Sequence, residues 1–180
     1  LVWEALRGRV SRGLLFWGVV YELVYLVVSI VVGLVLYESS RASPVESVSF
    51  IREHGALYAV ASIWLANTGS FFLGATLAVL HPALGALAVA FSSASTGELL
   101  ASWLAGYSGK AHLAYGVAES QVYILLWLGA VEAYYIQLGC GDLLCRWDST
   151  LRSTARLVAY AFTAFLVLAA VEVAEVRLLG

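Results

Sequence analysis

Apolar positions in this chain come in long runs rather than in short alternation. Predominantly apolar stretches occupy about residues 14–37, 57–80, 83–106, 113–139 and 157–176, the third interrupted by "SSASTGE". Each is long enough to cross the ~30 Å hydrocarbon core of a bilayer as a helix, for which about 20 residues suffice. What separates them is polar and short. Residues 1–12, "LVWEALRGRVSR", place Trp3, Leu6 and Val10 on one helical face and Glu4, Arg7 and Arg12 elsewhere, the pattern of a helix lying in the membrane interface with its Arg heads at the phosphates. The run behind it is too long for the core of a signal peptide and lacks a small-residue cleavage pattern, so it reads as a first span.

After that span, "SPVESVSFIREHG" carries a capping box: Ser43 at the cap, Pro44 at the first helical position, Glu46 three residues on, and Gly55 as a stop. A second short interfacial amphipathic helix is expected there. "HPALG" is a tight turn between the second and third spans, and "CGDLLCRWDSTLRSTAR" reads as a polar loop before the last. With no internal repeat, no low-complexity linker and no soluble segment of domain size, the expectation is an all-α integral membrane protein. Residues 1–180 form a single domain, a bundle of five transmembrane helices.

Composition agrees. The chain is 62% hydrophobic and 12% charged, with mean hydropathy +0.88, where a soluble domain carries about a quarter charged residues. The net charge of −2 gives no basic surface for nucleic acid. Asn67 is the one asparagine, and methionine is absent; this fits a chain from a hot environment, although membrane composition also depletes amides. Basic residues near span ends favour the N-terminus inside and the C-terminus outside a cell membrane. Arg7, Arg9, Arg12, Arg146, Arg152 and Arg156 then lie inside, against Arg41, Arg52, Lys110 and Arg177 outside.

The chemistry concentrates in the fourth span. Its stripe His112, Tyr115, Gly116, Glu119 and Tyr123 follows spacings of three and four, and Glu132 lies about 140° away from Glu119 around the axis at 100° per residue. A charged side chain at mid-membrane costs roughly 3 kcal/mol, so the simplest state for such an acid is protonated and donating a hydrogen bond. Counting depth at ~1.5 Å per residue puts Glu98 and Glu119 about 10 Å below the same surface, with Asn67 slightly deeper. Two polar layers are therefore expected: Asn67, Glu98 and Glu119 in one half of the membrane, and Glu22 with Glu132 in the other. Such a layer either pins helices together or binds a proton or cation.

Gly69, Ser70, Gly74, Ser93 and Gly97 suit close helix approach; the run "SSASTGE" around the last two could instead break the helix around a cavity. Cys140 and Cys145 are too few for a zinc site and form either a disulfide or two thiols. His81 and His112 sit at span ends. No catalytic motif, metal set or cofactor-binding pattern is present.

"YGVAES" at 115–120, entering the fourth span, resembles the His-Gly-x-x-Glu signature of the stage II sporulation protein M family, and "IWLANTGSFFLG" followed by "HPALG" is similar to that family's Asn-containing span and the turn after it. The resemblance covers about residues 57–140. Asn67, Gly116 and Glu119 match; Tyr115 stands where the family has His, and His81-Pro82 where it has Asn-Gly. It implies a polytopic membrane fold and a scaffold role, since the sporulation member works alongside cell-wall hydrolases during engulfment. The expected function is a non-enzymatic membrane scaffold or assembly subunit, in contact with lipid and with other membrane or envelope proteins or copies of itself. The alternative is a small proton- or cation-coupled transporter or channel using Glu98 and Glu119.

Overall fold

The computed structural model describes residues 2–39, 46–107, 110–141 and 143–179. Among them are six helices and no strand: α1 (Val2–Glu38), α2 (Glu46–Glu53), α3 (Ala56–Leu80), α4 (Pro82–Leu104), α5 (Lys110–Gly139) and α6 (Leu143–Leu179). Five are long and apolar enough to cross a membrane, over Ser11–Glu38, Ala56–Leu80, Pro82–Leu104, His112–Gly139 and Ala155–Leu178. The chain is an all-α membrane bundle.

Two expectations about the connections are corrected. Residues 2–12 do not form a separate helix but continue into the first span, giving α1 its 37 residues. The stretch 143–156 is not a loop but the opening turns of α6, where Arg152 Nε donates to the exposed Asp148 carboxylate one turn away at 2.9 Å. The physical reason is common to both. Extending an existing helix adds one hydrogen bond per residue fixed, whereas a new one must pay for nucleation, and polarity alone does not stop propagation. At ~1.5 Å per residue both helices reach about 55 Å, well beyond the ~30 Å hydrocarbon thickness.

The remaining ends are set locally. His81 adopts an extended conformation and its Nδ1 accepts from Ala83 N at 3.2 Å, with Pro82 at the first turn of α4. This caps α4 and folds it back on α3. At the other end of α4, Tyr107 N donates to Ser102 O and Gly106 N to Trp103 O, a Schellman closure that needs the left-handed φ of +79° that Gly106 supplies. For α2, the expected capping residues Ser43 and Pro44 lie outside the described residues. Its C-terminus is held by Arg177 of α6, whose Nη2 donates to Ile51 O at 3.1 Å and also to His54 O. Beneath, fully buried Ile51 packs on Ala59, Val173 and Val176.

Among the described residues, α5 alone touches every other span, while α1 touches only α4 and α5. The α1–α4 seam is the most extensive helix pair. It joins two rows of four-residue spacing, each buried along its length: Tyr21, Tyr25, Ser29 and Gly33 on α1, and Gly85, Val89, Ser93, Gly97 and Ala101 on α4. Large residues meet small ones, with Tyr21 over Gly85 and Val32 over Gly97. The "SSASTGE" run thus stays helical, and its Ser93 and Gly97 serve close packing.

Candidate functional site

The site is built on α5 because that helix has neighbours on every side. Successive residues turn by ~100°, and three in a row use this to reach three different helices. Glu119 Oε1 accepts from Asn67 Nδ2 of α3. The Ser120 hydroxyl shares a hydrogen bond with Thr96 of α4 at 2.8 Å. Glu22 Oε2 of α1 accepts from Gln121 Nε2 at 3.2 Å. Further along α5, Tyr123 OH donates to Asn67 O at 2.8 Å and Trp127 Nε1 to Phe71 O at 3.2 Å. Asn67 is therefore held through both its amide and its carbonyl. Gly74 admits the Trp127 ring, which would lie 2.3 Å from a β-carbon there.

The fourth neighbour, α6, brings an acid that the sequence reading passed over. Glu172 is buried to 6% exposure, within electrostatic reach of both Glu119 and Tyr115. The buried Tyr115 hydroxyl feels both acids and has no hydrogen bond of normal geometry. The signal was there, since Glu172 falls inside the expected fifth span. It sits beside Glu175 and Arg177, however, where a polar run ordinarily marks the exit from the membrane.

Neither expected layer assembles as a whole. Asn67 and Glu119 come together, but Glu98 is exposed. It lies about 200° around α4 from Thr96, the residue that faces α5, so equal depth does not bring it onto the same face. Glu22 pairs with Gln121 rather than with Glu132, which is also exposed. Glu132 is only about 20° from Gln121 around α5 but about 16 Å further along the axis; here the face agrees and the depth does not.

Of the small residues, Gly74, Ser93 and Gly97 line helix contacts, while Gly69 and Ser70 are exposed. In the family-like motif, Tyr115 stacks on buried His112 at a centroid distance of 6.4 Å, and Gly116 meets Leu99 of α4. His81 caps α4 and meets Tyr134 edge-on. Cys140 is disulfide-bonded; the sequence holds one other cysteine, Cys145, whose side chain lies outside the described residues.

Between α3, α4 and α5 the bundle opens into a cavity of about 490 Å³, lined by Asn67, Glu119 and Tyr123 and by the hydroxyls of Ser70, Ser95 and Thr96. Among the described residues no group of three His, Cys, Asp or Glu side chains could hold a metal ion. The arrangement can lock helices by hydrogen bonds, and it presents a carboxyl group to a laterally open space. No family model, curated protein or solved structure matches the chain.

The Asn67–Glu119 pin makes a direct prediction. Glutamine keeps the size and the hydrogen-bonding capacity of a protonated glutamic acid, so Glu119→Gln should leave thermal stability in detergent nearly unchanged. Glu119→Leu should lower it by about 1 kcal/mol, the usual scale of an intramembrane hydrogen bond. Equal losses in both variants would mean that the pair does not hold α3 to α5.

Proposed function

We propose that this chain is a non-enzymatic assembly subunit of a multi-pass membrane complex. The observation carrying this reading is the outward direction of Glu98 and Glu132. Both lie within apolar spans, six or seven residues from the nearer helix end, and both are exposed on the isolated bundle. A carboxyl facing hydrocarbon costs roughly 3 kcal/mol, and a second protein surface that accepts its hydrogen bond removes most of that cost. The resemblance to the stage II sporulation protein M family supports the same reading, and two of its matching residues, Asn67 and Glu119, are bonded to one another. In this proposal the N-terminus faces the inside of a cell membrane and the C-terminus the outside. Transport by a Glu98–Glu119 pair has less support, because Glu98 does not line the cavity that Glu119 enters.

The test compares Glu98→Leu and Glu132→Leu in the complex purified in mild detergent. Where a neighbouring chain covers these acids, each substitution weakens association about three- to tenfold, the equivalent of one intramembrane hydrogen bond, while the single chain stays folded. A wild-type chain that is monomeric in lipid nanodiscs and carries no stoichiometric partner from its native membrane would refute the proposal.

A further inference from the structure

The cavity between α3, α4 and α5 has features that assembly does not require. Its volume of about 490 Å³ falls within the ~300–1,000 Å³ typical of small-ligand sites. Its mouth is flanked by Leu73 and by Phe91, the latter 81% exposed, both on the outer surface of spanning helices. A ligand would therefore arrive from the hydrocarbon rather than from water. The walls carry one carboxyl group, Glu119, and no Lys, Arg or His. That charge pattern rejects fatty acids and phosphate headgroups and favours a single positive charge.

The carboxyl is prepared for such a ligand. Asn67 engages Oε1, and Asn67 is itself fixed by Tyr123. Tyr123 and Trp127 contribute two rings to the wall, with centroids 5.3 Å apart, and each ring is held by its own bond to a carbonyl of α3. Aromatic faces beside a carboxylate attract an alkylated ammonium or phosphonium ion, and the attraction grows when water is excluded.

We propose that this cavity binds a lipophilic monovalent cation drawn from the bilayer, with Glu119 as counter-ion and Tyr123 and Trp127 as its aromatic walls. Glu119 then carries either a proton or the ligand cation, and the carboxyl with its charge partner stays neutral in both states. This goes beyond the assembly role and does not depend on it.

The probes are tetraphenylphosphonium and its anionic isostere tetraphenylborate, measured by equilibrium dialysis against the full chain in nanodiscs, with empty nanodiscs subtracted. Saturable binding of the cation, at least tenfold weaker in Glu119→Gln and unchanged in Glu38→Gln (an exposed acid at the end of α1), is the expected result. Ser95→Trp fills the cavity from an exposed position on α4, keeps the Glu119 carboxyl in the chain and should also abolish binding, which keeps the proposal testable if the Gln variant fails to fold. Absence of saturable cation binding, equal binding of the borate, or full binding by a folded Glu119→Gln protein would each overturn the proposal.

Discussion

Gly97→Val should cost the bundle about 3 kcal/mol, the upper part of the range for overpacking a tight contact. A β-carbon at this position would lie 2.7 Å from Val32 Cβ and 2.9 Å from Ser29 O. Neither atom can step aside: the first belongs to a β-branched side chain and the second to the backbone of α1. The strain must therefore part the helices. Because α1 touches only α4 and α5 among the described residues, loosening this seam also exposes the Ser29 Oγ to Ser93 O bond at 3.1 Å. Gly69→Val is the matched control, since a β-carbon there meets nothing within 4 Å, and its stability should stay within about 0.5 kcal/mol of wild type. Thermal unfolding of both variants in one detergent decides the matter. Similar melting temperatures for the two would show that α1 and α4 do not meet along this row.

Trp127→Ala should be comparably severe, at about 3 kcal/mol. In water-soluble cores truncating a buried Trp or Phe costs ~3–5 kcal/mol. The lower end applies here because a membrane-embedded unfolded reference already keeps the indole out of water, leaving the cavity and the lost contacts as the main terms. Trp127 is 2% exposed, packs on Tyr123 at 5.3 Å and bonds Phe71 O. Its neighbour Gly74 allows a sharper test. Gly74→Leu alone collides with the indole and should destabilise by about 2 kcal/mol, yet in the Trp127→Ala background the new side chain enters the vacated space. The double variant should recover at least about 1 kcal/mol relative to the sum of the two losses. Strict additivity would mean that the ring does not sit over Gly74.

The sequence by itself determined the fold class, the number of spans and the tight turn at His81-Pro82. These are local matters: a run of about 20 apolar residues in a bilayer must satisfy its own backbone and so becomes a helix, and a capping residue followed by proline starts a new one. Part of the site was legible in the same way, since depth counting suffices to put Asn67 near the level of Glu119. Which side chains face one another was not legible. In water the apolar stripe of a helix reveals its buried face, but lipid is as apolar as the protein interior, so rotation about each axis leaves little trace in the hydrophobic pattern. Glu98 and Glu119 read alike in sequence. Packing turns one outward and the other toward Asn67, places Glu22 against Gln121 rather than Glu132, and brings Glu172 inside from what reads as a membrane exit. The cavity depends on the same long-range choice: it exists because α3 and α4, joined at one end by their turn, leave a gap over the part of α5 that carries the carboxyl.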